Sequence, residues 1–150
     1  VGVTKCNEDM EITELRLSDL NLVGFLPEEI KWLDTLESLD MQNNHLAGPV
    51  PSGLGDLDEL RYLSLDGNNF SGSIPDVFTA LTFLERVYLN CNEFNGVMPS
   101  SLCFLREDGV LEDLWSDCGG YPITCTCCTV CCDMVAECDE MASQMGNDDD

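Results

Sequence analysis

The stretch Leu60-Arg61-Tyr62-Leu63-Ser64-Leu65-Asp66-Gly67-Asn68-Asn69-Phe70-Ser71-Gly72-Ser73-Ile74-Pro75 decides the fold, because its spacing recurs on either side. Leu36, Leu60 and Leu84 each open the pattern L-x-x-[LV]-x-[LM]-x-x-N-x-[LF]-x-G-x-[VIM]-P, with successive copies 24 residues apart. An earlier copy starts at Ile12 and runs through Leu15, Leu17, Leu22, Gly24, Leu26 and Pro27, with Leu20 in place of the asparagine. A truncated fifth copy opens at Leu111 with Leu114; it arrives three residues late because Arg106 to Val110 lengthens the turn before it. A fixed period of this length means stacked coils, none of which has a core of its own.

The order within one copy says what each position does. In Leu60 to Leu65 the leucines point into the coil, while Arg61, Tyr62 and Ser64 are expected in solvent on a parallel sheet, by the period-two rule of strands. Asn44, Asn68 and Asn92 then fall at one stacked corner, where side-chain amides can pair the open backbone groups of neighbouring coils. Gly48, Gly72 and Gly96 allow a backbone that a side chain would obstruct. Pro27, Pro51, Pro75 and Pro99 set the entry to an outer 3₁₀ or irregular segment. Ile30 with Leu33, Leu54 with Leu57, Phe78 with Leu81, and Leu102 with Leu105 plug the convex side. The predicted fold class is an α/β solenoid: a right-handed coil with a short-stranded parallel concave sheet and a disulfide-rich C-terminal cap.

These residues resemble the plant-type leucine-rich repeat of receptor-like kinase ectodomains and polygalacturonase-inhibiting proteins, the class marked by the Gly-x-[VIM]-Pro run. Val1 to Cys6 followed by Ile12-Thr13-Glu14-Leu15 resembles the last part of that family's N-terminal cap, whose tryptophan and further cysteine would lie upstream; the expectation is a chain cut inside its cap. Cys103, the segment Leu114 to Cys118, and Cys125-Thr126-Cys127-Cys128-Thr129-Val130-Cys131-Cys132 resemble the cysteine-rich cap of diatom leucine-rich repeat proteins. The resemblance implies a secreted protein or the extracellular face of the cell surface. The organisation expected is a cap remnant over 1–11, four repeats over 12–110, a last strand and cysteine-rich cap over 111–138, and an acidic tail or linker over 139–150.

Composition narrows the function. The chain has 150 residues, one domain's worth, with 29 Asp and Glu against 6 Lys and Arg and a formal charge of -23. That excess repels phosphate backbones and anionic lipid, which excludes nucleic acid and a polybasic membrane anchor. The apolar fraction of 44% is that of a folded domain. No stretch approaches the roughly 18 apolar residues that would span a bilayer, so no direct membrane insertion is expected of this segment.

Ten cysteines in a chain of this size read as a disulfide framework in an oxidising compartment. Cys91, Cys103, Cys118, Cys125, Cys127, Cys128, Cys131, Cys132 and Cys138 are the disulfide candidates. Cys6 lies several strand spacings from them, beyond disulfide reach, and is expected to be an unpaired thiol. Register alone favours joining Cys91 to Cys118, since both are the eighth residue of adjacent coils; the rival joins Cys118 to Cys125 or Cys127. Cys128-x-x-Cys131 offers a zinc-like spacing, yet the second arm and histidine of a zinc ribbon are missing, so neither metal nor cofactor is expected.

Catalytic signatures are also missing. His45 is read as a solvated loop residue, and Asp56, Asp58, Glu59 and Asp76 as solvated charge on outer turns. The concave sheet is the candidate binding face. Its middle outward position reads Arg16, Asp40, Ser64, Tyr88 and Trp115, and the position two residues earlier reads Glu14, Ser38, Tyr62, Arg86 and Asp113. Tyr62, Tyr88, Trp115 and Arg86 gather towards the C-terminal half, and aromatics with arginine are the types that anchor interfaces. With Arg16 and Asp40 they form the candidate ligand-binding set, for a protein, peptide or glycan partner. The alternative is a cell-wall or adhesion protein associating through its acidity with cations or polycations. Ice binding is disfavoured, since Val23, Ala47, Ser71 and Asn95 form no uniform threonine array. Asn69-Phe70-Ser71 is an N-glycosylation sequon, with Asn69 outward at a corner.

Overall fold

A computed structural model of the chain describes residues 2–118 and 123–132. The strands Gly2–Cys6, Ile12–Arg16, Ser38–Asp40, Tyr62–Ser64, Arg86–Tyr88, Asp113–Ser116 and Val130–Cys131 lie side by side in that order in one seven-stranded sheet. The first pairing is antiparallel and the others are parallel. Leu15, Leu39, Leu63, Val87 and Leu114 pair directly across successive strands. Each coil therefore stacks in exact 24-residue register, and the fifth returns to it despite its late start. Leu36, Leu39, Leu60, Leu63, Leu65, Leu84, Val87, Leu111 and Leu114 are completely buried in one continuous core.

At the corner, Asn68 shows how the coils are fastened. Its Oδ1 accepts the Leu46 N–H at 3.0 Å, and its Nδ2 donates to the carbonyls of Met41, Leu65 and Asp66 at 2.9, 3.1 and 3.2 Å. Asn44 does the same for the coil before it, accepting from Leu20 and Leu22 and donating to Leu17, Met41 and Gln42. Asn92 accepts from Phe70 and donates to Leu65, Leu89 and Asn90. Past Asn92 the part is taken by a carboxylate: Asp117 accepts the Cys91 and Asn92 N–H groups at 2.8 and 3.0 Å.

Beyond the corner a second parallel sheet joins Val23–Gly24, His45–Gly48, Asn69–Gly72 and Glu93–Phe94. Phe70 and Phe94 stack beneath it, 6.3 Å apart and 6° from parallel. Gly48, Gly72 and Gly96 have φ of 82°, 79° and 93°, so the column needs glycine for its backbone alone. On the convex side 3₁₀ turns over Glu28–Trp32 and Ser52–Asp56 follow Pro27 and Pro51, and a third covers Phe78–Ala80. Coils approach closely there: a Cβ on Gly55 would lie 2.5 Å from the Val77 carbonyl oxygen.

The fourth convex segment departs from the expected 3₁₀ or irregular form, because Ser100–Glu107 is an α-helix. An α-helical turn takes more residues than a 3₁₀ turn, and this accounts for the late fifth copy. Asp76, expected to be merely solvated, accepts the Ser101 N–H at 2.8 Å and the Ser100 hydroxyl at 2.9 Å, where unpaired amides and the helix dipole favour an anion. Glu28 likewise accepts from Ser52 and Gly53 at the head of the next turn. Those hydrogen bonds hold both carboxyls below their ordinary range.

The ends of the core are closed differently. Gly2–Cys6 covers the first coil, Lys5 reaches Glu14 at 2.7 Å, and Cys6 is an exposed free thiol as the spacing required. At the other end disulfides join Cys103 to Cys127, Cys118 to Cys131, and Cys125 to Cys128. This corrects the pairing of Cys118 with Cys91, and equally its rival with Cys125 or Cys127. Coil register pairs Trp115 with Tyr88, three residues before each cysteine, but Val130–Cys131 forms one more parallel strand on the far side of Asp113–Ser116 and sets Cys131 4.8 Å from Cys118, Cα to Cα. Cys91 meanwhile sits in a left-handed conformation, φ 57°, and is itself disulfide-bonded. Cys132 is buried, whereas Cys138 and the 139–150 tail lie outside the described residues. Non-reducing peptide mapping of the protein produced in an oxidising host compartment will recover Cys118 linked to Cys131 and Cys103 linked to Cys127; a Cys91 to Cys118 peptide would contradict this cap.

Candidate functional site

Because the strands stack in register, outward side chains form columns across the concave sheet. Ser64, Tyr88 and Trp115 are directly paired in one column, and Tyr62, Arg86 and Asp113 in the one beside it. The diagonal between columns brings three rings into contact. Tyr62 and Tyr88 lie 5.7 Å apart with planes at 57°, and the Tyr88 and Trp115 rings meet edge to face at 5.4 Å. Edge-to-face contact is the favoured geometry for aromatic quadrupoles. All three rings are half-buried, so each keeps a free portion.

The other candidates divide. Arg86 is exposed and its Nε lies 4.0 Å from Asp113. Arg16 sits at the N-terminal end of the sheet, 3.6 Å from Glu14 and 4.0 Å from Asp40. Asp40 is buried, but close enough to Tyr62 to act on its hydroxyl. The rings therefore form one surface, and Arg16 lies outside it. Ser64, expected in solvent, is completely buried; it interacts with the Tyr62 hydroxyl and donates to Asp66. His45 is exposed on the second sheet, on a strand rather than in a loop. Asn69 is exposed on the same sheet, its Nδ2 3.4 Å from Glu93 Oε1. The Cys118, Cys125 and Cys128 sulfurs lie within 4.8 Å of one another and are held in two disulfides.

A row that the repeat pattern treats as variable lies beside the rings. Gln42, Asp66 and Asn90 are two residues past the middle outward position of their coils. Their backbones are joined laterally, Asn43 N–H to the Asp66 carbonyl and Gly67 N–H to that of Asn90. Extending the in-out alternation one step past the strand would have placed them on this face. Asp66 is 3% exposed and Asn90 1%, and Gln42 Oε1, Asn90 Oδ1, Trp115 Nε1 and Ser116 Oγ are buried with no hydrogen-bond partner. Burial pushes the Asp66 carboxyl up to about 6, against the Ser64 hydrogen bond, with Asp40 and Asp19 adding repulsion. Burial also raises Asp40 and Asp117.

Coils of this length, with parallel inner strands, an asparagine corner and a proline-led outer turn, are leucine-rich repeats. Residues 35–57, 59–81 and 83–105 match the Leucine Rich Repeat family model, and the fold is a leucine-rich repeat solenoid closed by a disulfide-linked C-terminal cap. It is similar to the leucine-rich repeat ectodomain of the receptor kinase SOBIR1 from Arabidopsis thaliana, at 32% identity and TM-score 0.66 over 71% of this chain and 57% of that one. The PEPR1–AtPEP1 structure matches at 32% identity and TM-score 0.68, over 77% of this chain and 15% of that one. A plant ice-binding protein matches at 28% identity and TM-score 0.62, over 78% of this chain and 36% of that one. The chain thus spans less than two thirds of each. No curated protein sequence matches it.

The row makes stability depend on pH. A carboxyl raised from about 3.9 to about 6 on folding stabilises the fold fully below the unfolded value, and this is lost as pH rises through the folded one. Glu28 and Asp76 act oppositely, but their contribution is lost only as pH falls below the ordinary carboxylate range. Between pH 7.5 and 5 the protein will therefore become more stable, by about 1–2 kcal/mol from Asp66. Asp66→Asn will flatten that rise, as followed by urea unfolding across pH.

Proposed function

We propose that this chain is an extracellular, non-catalytic recognition module that takes a peptide or protein segment along its concave sheet. The observation that carries the reading is the contiguous run of Tyr62, Tyr88 and Trp115 rings, half-exposed on strands held in register. Rigid aromatic surface binds with little loss of side-chain entropy, and such residues dominate interface energetics. Arg86 and Asp113 at the margin supply polar partners. The similar structures include a receptor-kinase ectodomain and a PEPR1–AtPEP1 complex, which supports ligand binding by this repeat class. The disulfide-linked cap supports an oxidising compartment. Among the described residues no helix is long and apolar enough to cross a membrane. On this reading Asn69, exposed on the second sheet and away from the rings, is a glycan acceptor that leaves the concave face open.

A charge of -23 favours a second reading, association with cations or polycations through diffuse acidity. Salt separates the two, since screening removes diffuse attraction and spares aromatic burial. Peptides selected from a random display library on the intact protein provide the test. Tyr88→Ala and Trp115→Ala will each weaken the selected peptides about tenfold or more, with unchanged circular dichroism, and binding will persist at about 0.5 M salt. Retained affinity in the double variant, or collapse in salt, would remove the aromatic face as the binding surface.

A further inference from the structure

Gln42, Asp66 and Asn90 share one deficiency. Asp66 is buried and takes a side-chain hydrogen bond from Ser64 and one from the backbone, which leaves acceptor capacity on its two oxygens. Gln42 Oε1 and Asn90 Oδ1, on the coils either side, have no donor at all. Three neighbouring acceptors short of donors are costly to bury, and a side chain that brought several N–H groups would satisfy them together. The wall of the row is aromatic. Tyr62 and Tyr88 present rings 5.7 Å apart, and both hydroxyls are close enough to Asp66 for its charge to act on them.

Resting on the concave-face reading above, we propose that the Gln42–Asp66–Asn90 row is the receptor site for the guanidinium of an arginine side chain in the bound peptide, stacked against Tyr62 and Tyr88. A guanidinium carries five N–H donors in a plane, keeps its charge when partly desolvated, and packs on aromatic faces. Because Asp66 and Asn90 are buried, entry requires the side chains packed over the row to move aside. A hard dication suits the row less well, since calcium needs six or more converging oxygens and the row has a single carboxylate across three coils. The strongly negative chain also draws cationic segments towards the protein from a distance.

The test uses the intact protein with N-acetylarginine amide, and N-acetylcitrulline amide as the neutral isostere, followed by NMR of the Gln42 and Asn90 side-chain amides. The arginine probe should shift both resonances saturably and bind at least tenfold more tightly than the citrulline probe. Asp66→Asn should remove at least tenfold of that affinity, while Asp58→Asn, the same charge change at an exposed site, should leave it within twofold. Affinity should also fall about tenfold between pH 7.5 and 5 as Asp66 takes up its proton. Equal binding of the two probes, equal effects of the Asp66 and Asp58 variants, or shifts produced by calcium and not by arginine would each overturn the proposal. The comparison of probes needs no variant to fold. Because the small probes read this row alone, their failure leaves the Tyr88 and Trp115 test standing, and failure of that test leaves the probe result standing.

Discussion

The stacking of the coils depends on the amide of one asparagine in each of the three central coils. A coil must turn a corner after its strand, and the corner exposes peptide groups that neither sheet can pair. Asn44, Asn68 and Asn92 pair them from inside, each accepting from the coil before and donating to carbonyls on two coils. An amide is the shortest neutral side chain that both donates and accepts in this way. Losing one would strand several buried groups, at about 1–3 kcal/mol each, so the corner fixes the period and the period fixes the register. Where Leu20 replaces the asparagine the ladder begins, and where coil length changes the Asp117 carboxylate closes it.

Function follows from that register. Side chains a full coil apart in sequence become neighbours, and the distances between them are those of a parallel sheet rather than of a loop. Tyr62, Tyr88 and Trp115 can therefore form a continuous surface although no two are closer than 26 residues in the chain. On the convex side Glu28 ties the first coil to the second and Asp76 the third to the fourth through backbone amides, so the opposite wall of the solenoid is fastened at two of its steps as well. Such a scaffold can carry buried, imperfectly paired polar groups such as Asp66 and Asn90 without rearranging around them.

The sequence makes the repeating parts legible and the singular parts obscure, for a physical reason. Leu63, Asn68, Gly72 and Pro75 recur because every coil has the same problem to solve, and repetition exposes the solution. The outward columns are legible too, since they follow directly from the period. The disulfide of Cys118 is not legible in the spacing because Val130–Cys131 adds a strand without any repeat signature, and Ser100–Glu107 is an α-helix where the sequence shows only a longer turn. The Gln42, Asp66 and Asn90 row is not legible because it occupies a position the repeat leaves free, and burial of a free position depends on the particular side chains packed around it.

Native-state hydrogen exchange of the Leu22, Leu46 and Phe70 amides tests the corner most directly. All three donate to asparagine side chains rather than to a strand neighbour. If the ladder holds the solenoid together, they will exchange only when the whole stack opens, with free energies within about 1 kcal/mol of the Met41 and Leu65 sheet amides and the same urea dependence. Fast exchange through local opening at any of them, while Met41 and Leu65 stay protected, would show that the sheet stands without the ladder and would contradict the account.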